Sequence, residues 1–316
     1  MNQPKIAVLC GGDSPEAEVS RSSGKGIADA LAKSFDSVSL IELGPDKDLP
    51  GIGGRLKDSG IEVVFPALHG GNGEDGTLQR LLDNAGIAYV GSGPEASARG
   101  MDKNEAKKAF RKASLPVARD WVVEWNANQP EKLQDIINYL GGSVVVKPLS
   151  QGSALGVSFC RTVPELESAV LNALKLGPKV LVEECIQGRE VTAALLERNG
   201  LEVFPLVEIL TPKGTWYDYE HRYQPGLSTH FIPAPLTPQQ TKRVSGVSSG
   251  AFIALGCRDL ARADLIVPKE GDPILLEVNT LPGFTPTSLY PDAARAGGLS
   301  FEELTAYLVN RALQRK

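Results

Sequence analysis

Two short strand-like runs near the C-terminus, ARADLIVP (261–268) and the start of LLEVNTLPGFTPTSL (275–289), are joined by the turn-forming stretch KEGDP (269–273). So short a connection joins antiparallel neighbours, and the pair is predicted to be a β-hairpin. Side chains alternate across a strand, so Glu277 and Asn279 share one face, and pairing the strands brings Arg262 and Asp264 onto one face as well. That face carries two carboxylates, an amide oxygen and a guanidinium, which suits a hydrophobic core poorly. Oxygen donors without His or Cys fit a hard cation such as Mg2+, which commonly keeps other positions for water and nucleotide phosphate. The same groups also fit a cross-strand salt bridge between Arg262 and Glu277 on a solvated sheet. The second strand ends at Pro282-Gly283, a turn signal, followed by the hydroxyls of Thr285, Thr287 and Ser288.

The remaining sequence narrows the classes of function. With 316 residues the chain is long enough for two or three domains. A net charge of -5 gives no electrostatic footprint for nucleic acid. No apolar run approaches the roughly 18 residues that span a membrane. The N-terminus enters an apolar strand almost at once without a signal pattern, so a cytoplasmic protein is expected. The four cysteines are scattered without zinc-like spacing, and three histidines are too few for a His-rich metal site.

KIAVLC (5–10), SVSLIEL (37–43) and IEVVFPAL (61–68) alternate with helical stretches, and IAYVGS follows the amphipathic TLQRLLDNAG (77–86). This predicts a doubly wound α/β domain over 1–100, with functional loops at the carboxyl ends of its strands. Two loops fit, GGDSPEAEVS (11–20) and HGGNGEDG (69–76), the second offering His69, Glu74 and Asp75; each alone also fits an ordinary surface turn. Residues 101–184 read as a second, α+β unit. It opens on a helix with Lys103, Lys107, Lys108, Arg111 and Lys112, a charge run that reads as a solvated face. Its loop SQGSALGV (150–157), preceded by Lys147, could aim backbone N–H groups at phosphate or be a polar hairpin. A third unit, 185–316, contains the long segment 211–236 with little regular pattern, of the kind that is commonly functional or mobile.

Taken in order, SPEAEVS (14–20), HGGNGEDGTLQ (69–79), MDKNEAK (101–107), KPLSQGSALGV (147–157), VEECIQGREVT (182–192), YDYEHRY (217–223), RADL (262–265) and EVNTLPGFTPTSL (277–289) resemble the D-alanine:D-alanine ligases of the ATP-grasp superfamily. The motifs are colinear and span nearly the whole chain. The resemblance implies an ATP-grasp fold of three α/β domains, with ATP between the central and C-terminal domains and D-alanine as substrate. It implies phosphorylation of one D-alanine's carboxylate and attack on the acyl phosphate by a second D-alanine's amine, for peptidoglycan precursor synthesis. A homodimer is also implied.

By the same resemblance Asp264, Glu277 and Asn279 match Mg2+ ligands, with two ions expected and Mn2+ an alternative. Lys103, Lys147, Ser153, Glu183, Glu184, Ile186, Glu190, Arg222 and Leu276 match nucleotide-binding positions. Glu18 matches the carboxylate receiving the first substrate's ammonium group, with Ser153 and Tyr223 as its hydrogen-bonded partners. Arg262 and Gly283 match oxyanion stabilisers. His69, Ser288 and Leu289 match the substrate neighbourhood, and the 211–236 segment matches a lid. Three positions depart from the family pattern. Arg222 replaces a lysine, and a planar fork is not equivalent to a point charge. Ala154 replaces a second serine, and Cys185 stands where an aromatic residue is common.

Overall fold

The computed structural model describes residues 3–44, 49–124, 131–213, 215–224, 226–285 and 288–315, with the side chains of Glu131 and Tyr223 outside that description. Strands β1 (Ile6–Gly11), β2 (Val38–Leu43), β3 (Val63–Pro66) and β4 (Ala88–Tyr89) form a parallel sheet in the order β2-β1-β3-β4. Every residue of β1 is buried, as a parallel strand covered on both faces requires. Its alternate side chains enter two cores. Ala7 and Leu9 meet α2 (Ile52–Asp58) and α3 (Thr77–Ala85). Ile6, Val8 and Cys10 meet α1 (Ala17–Leu31) and residues Leu304 and Leu308 from the C-terminal end of the chain.

Two helices follow, α4 (Pro94–Met101) and α5 (Lys103–Lys112), the latter capped by Asp102. Next come β5 (Asp120–Val123), α6 (Glu131–Tyr139), β6 (Val144–Pro148), β7 (Ser158–Cys160), α7 (Val163–Ala173) and β8 (Val180–Glu184). Their antiparallel sheet has the order β5-β8-β6-β7. Its core draws on residues 123–182, so α5 is not part of it. Instead α5 buries Ala106 and Phe110 against the third sheet.

That sheet is built from β9 (Arg189–Glu197), β10 (Leu201–Val203), β11 (Val207–Leu210), β12 (Thr229–Phe231), β13 (Leu260–Val267) and β14 (Ile274–Asn279). It runs β12-β11-β9-β13-β14, with β10 also pairing to β9. Helices α8 (Tyr219–Tyr223), α9 (Pro238–Leu255), α10 (Leu289–Ala296) and α11 (Phe301–Leu313) complete the chain. Helices α10 and α11 share their core with the first sheet, which joins the C-terminal end of the chain to the N-terminal unit.

The predicted hairpin is β13–β14, in register Arg262 opposite Asn279 and Asp264 opposite Glu277. The 211–236 segment is more regular than its sequence suggests. Asp218 accepts the His221 N–H at 3.0 Å to cap the short α8, and β12 adds to the edge of the sheet. Elements of three to five residues leave too little periodicity to be read from sequence.

Candidate active site

The carboxyl ends of β1 and β3, the β6–β7 loop, α8 and the β13–β14 hairpin meet around a cleft of about 640 Å³. At the head of α1, Ser20 holds the strand ends together. Its hydroxyl donates to the Ala67 carbonyl at 2.6 Å and accepts from Gly11 N at 2.8 Å. Ser14 does the same for the neighbouring loops, donating to His69 O at 2.6 Å and accepting from Glu16 N at 3.2 Å. Glu16, the N-cap residue, is thereby turned inward; it is 6% exposed, and its carboxylate accepts the hydroxyl of Ser153.

Glu18 does not make the contact expected of it with Ser153. Two residues along a helix turn a side chain by about 200°. Glu18 therefore lies at the outer rim with its side chain 87% exposed, ion-paired to Arg21 at 2.5 Å. Tyr223 was the third expected member of this set, and its side chain lies outside the described residues, as does Thr287. Tyr219, from the same helix, reaches the Pro15 carbonyl at 3.3 Å and closes α8 over the Glu16 loop.

On the opposite wall Arg262 forms a fork onto Asp264, Nε to Oδ1 at 2.8 Å and Nη2 to Oδ2 at 2.7 Å. Thr192, facing it from β9, donates to Oδ1 at 2.6 Å. The salt bridge between Arg262 and Glu277 suggested by the strand pattern is replaced by this pairing along one strand. Burial opposes both charges, yet Asp264 holds the guanidinium above its ordinary range and Arg262 holds the carboxyl below its own. Glu277 stands 3.6 Å from Lys103 Nζ, and Asn279 Oδ1 accepts Leu281 N at 2.9 Å.

His69 is buried behind the cleft, its Nε2 at 3.0 Å from Ser23 Oγ. Burial, then the nearby Arg262, depresses its pKa to about 4. At Gly283 an added Cβ would lie 3.2 Å from Ser288 Oγ, so the turn and the head of α10 are in contact. The Ser288 hydroxyl turns back to Thr285, with Oγ1 at 2.7 Å, while Leu289 is buried as the first residue of α10.

A second cavity, about 140 Å³, opens between the central and C-terminal sheets. Lys103, Gln151, Tyr217, Arg222 and Glu277 line both spaces, so the two lie side by side. Ile186 and Leu276 give it apolar walls, and Lys147, Glu183 and Glu190 its charges. Lys147 Nζ lies 2.5 Å from Glu183 Oε2. Glu184 borders the cavity, but its carboxylate accepts from Arg119 N and Nε, each at 2.8 Å. Arg222 stacks on Tyr217, 4.6 Å from the ring centre, and Cys185 is half-buried with its sulfur accepting from Gln187 at 3.5 Å. Ser153 and Ala154 both adopt left-handed backbone, φ 47° and 59°. A non-glycine pair in that region stores strain of the kind that marks functional loops.

Residues 42–92 match the family model described as "D-ala D-ala ligase N-terminus", and residues 110–310 match "D-ala D-ala ligase C-terminus". The chain belongs to the D-alanine–D-alanine ligase family. It is similar to the D-alanine–D-alanine ligase of Halalkalibacterium halodurans, at 44% identity over 98% of this chain and 100% of that one. Similarity to the Gloeobacter violaceus ligase is 43% over 98% and 99% of the two chains. Among solved structures, the Bacillus anthracis D-alanine–D-alanine ligase complexed with ATP superposes with a TM-score of 0.84 at 30% identity, covering 100% of this chain and 98% of that one. The VanG D-Ala:D-Ser ligase of Enterococcus faecalis superposes at 0.83 with 30% identity, covering 98% and 100%. These ATP-grasp neighbours carry the expected fold class, α/β with a parallel N-terminal sheet.

Two residues of this family member escaped the sequence reading. Glu16 lies within the SPEAEVS motif, and its position just before the first helical turn is the available signal. Lys107, assigned to a solvated helix face, is 1% exposed. Its signal was spacing, because Lys103, Lys107 and buried Phe110 recur at i, i+4 and i+7 along one side of α5.

Proposed function

We propose that the chain is an ATP-dependent ligase that joins two D-alanines into D-alanyl-D-alanine through an acyl-phosphate intermediate. The observation that carries this reading is the adjacency of the two spaces through five shared residues, with the Glu16–Ser153 pair and the Arg262–Asp264 fork on facing walls of the larger one. The resemblance of the sequence motifs and the names of the full-length relatives supply the substrate.

In this reading the ammonium group of the first D-alanine sits at Glu16, whose orientation Ser153 fixes. Its carboxylate then faces the γ-phosphate of ATP, whose adenine lies between Ile186 and Leu276. Two anions repel, so the reaction needs cationic neutralisation. Lys103, Lys147 and Arg222 supply part of it. Carboxylate oxygen attacks phosphorus and ADP leaves. The free amine of the second D-alanine, near Ser288 and Leu289, then attacks the acyl carbon, and phosphate departs after an oxyanion has developed. Arg262, held rigid by Asp264, and the backbone at Gly283 are the donors proposed for that charge, where pre-aimed groups count most. His69, kept neutral by burial, backs this wall without adding charge.

Asp264, Glu277 and Asn279 are the residues that would hold Mg2+. Their chemistry fits, being oxygen-only, and an ionised carboxylate offers about four lone-pair sites, of which Asp264 uses three on Arg262 and Thr192. Among the described residues no three His, Cys, Asp or Glu converge, so water and phosphate would complete the shell. A bound cation would neutralise the phosphates and polarise phosphorus. By family resemblance the enzyme is also proposed to be a cytoplasmic homodimer, which sedimentation tests for its stoichiometry.

The test is ADP release from ATP with D-alanine present or absent, with product analysis in mixtures containing D-serine and D-lactate. D-Alanine-dependent ADP release with dipeptide as the main product is expected. Release independent of D-alanine, or a mixed product dominated by another acceptor, overturns the assignment.

A further inference from the structure

Lys107 stands behind the nucleotide cavity. Its ammonium group donates to Glu183 Oε1 and lies 3.2 Å from Asp120 Oδ1, which Arg111 also contacts. The second oxygen of Glu183 takes Lys147 at 2.5 Å. Charges therefore alternate from Arg111 near the surface through Asp120, Lys107 and Glu183 to Lys147 on the cavity wall. Burial pushes the Glu183 carboxyl up, but Lys147 and Lys107 outweigh it and hold it at about 2. Glu183 is thus an anion at working pH and needs a counter-charge at all times.

Lys147 alone would be a poor choice for that task. A buried ion pair interacts far more strongly than one in water. If Lys147 were the sole partner of Glu183, an entering polyphosphate would have to break the pair and leave a buried carboxylate uncompensated, which is costly. With Lys107 on the other oxygen, Glu183 stays neutralised while Lys147 turns toward phosphate. We propose that Lys107 is a positioning residue that neutralises Glu183 from behind and so frees Lys147 to bind the phosphates of the nucleotide. The inference rests on the nucleotide reading given above.

The two are separated by calorimetric titration of the full chain, in Mg2+ buffer, with ATP and with adenosine. Wild-type protein that binds neither ligand refutes the nucleotide reading itself. Given binding, Lys107→Met is expected to weaken ATP at least about tenfold, and adenosine less than about threefold, because only ATP has phosphates for Lys147 to meet. Lys107→Arg keeps the charge, though not the compact ammonium, and should retain more ATP affinity than Lys107→Met does. Equal losses for ATP and adenosine would show that Lys107 merely shapes the pocket, and unchanged ATP affinity would show that Lys147 is free without it. Either result overturns the proposal. If Lys107→Met does not fold, Lys107→Gln, which can still donate to Glu183 but carries no charge, is titrated in its place, with the same loss of ATP over adenosine expected and the same two results overturning the proposal.

Discussion

Ser153 donates its hydroxyl hydrogen to the Glu16 carboxylate, tying the β6–β7 loop of the central unit to the first helix of the chain across 137 residues. The slot that holds the carboxylate depends on glycine on both sides. A Cβ at Gly70 would stand 2.9 Å from Glu16 Oε2, and one at Gly152 3.1 Å from it. Gly70 also has φ of 71°, a conformation that L side chains rarely adopt. Two loops whose sequences fit either a functional loop or a plain turn are therefore shaped around one buried carboxylate.

This geometry separates two glutamates that lie only two residues apart in the sequence motif. Glu16→Gln keeps the volume but removes a charged acceptor, and hydrogen bonds to charged groups are worth about 1.5 to 3 kcal/mol. We expect kcat/KM for D-alanine to fall about 10- to 100-fold. Glu18→Gln removes only a rim ion pair with Arg21 and should change activity less than about twofold. Steady-state kinetics on both variants decides, and a larger loss at Glu18 would return the substrate role to that residue.

Arg262 has two consequences when removed. As an oxyanion donor its loss lowers kcat roughly 100- to 1000-fold. It also leaves Asp264 buried without its partner, which costs about 3 to 5 kcal/mol. Arg262→Ala should show both effects, read by kinetics and by denaturant unfolding. A rise confined to the KM for ATP would make Arg262 a ground-state phosphate contact instead.

How much of this was legible depended on the kind of signal. The β13–β14 hairpin followed from strand alternation and a five-residue turn, and its register brings together the four residues read from that pattern. The parallel N-terminal sheet followed from unbroken apolar runs. What sequence did not carry was long-range placement. The α5 lysines look alike in one dimension, and only packing of Phe110 on the third sheet sends Lys107 inward to Glu183 while Lys108 stays at the surface with Glu105. The choice of Glu16 over Glu18 depended on where α1 begins, and helix ends are the least certain feature of a sequence reading.

His69 makes stability depend on pH. Its folded-state pKa, about 4, lies below the ordinary 6.5, so the unfolded chain binds the proton more readily. The sign follows directly: stability from this site is complete above pH 6.5 and is lost as pH falls toward 4, by about 3 kcal/mol across the window. His69→Gln cannot protonate and should show a shallower acid decline than wild type. Urea unfolding at pH 7.5 and 4.5 measures the difference, and parallel declines would mean that His69 carries its proton without cost in the folded enzyme.

Glu190 acts in the opposite direction and shows a conflict between stability and ligand binding. Burial raises its pKa to about 7; Arg222 opposes that rise, while Asp264 and Glu277 add to it. The folded state therefore binds this proton better than the unfolded chain does. Stability is complete below pH 4.5 and declines as pH rises through 7, because ionisation then occurs in a half-buried site. Glu190→Gln has no charge to develop, so it should be more stable than wild type by about 2 kcal/mol at pH 8 and similar to it at pH 4.5. Its nucleotide affinity should nevertheless fall, since the carboxylate is proposed to meet the ribose hydroxyls, and charged acceptors hold hydroxyls better than amides do. Thermal unfolding at both pH values, with ATP titration at pH 8, tests the pair of effects. A variant no more stable at pH 8 would show that Arg222 already compensates Glu190, and one that keeps full ATP affinity would remove Glu190 from the nucleotide site.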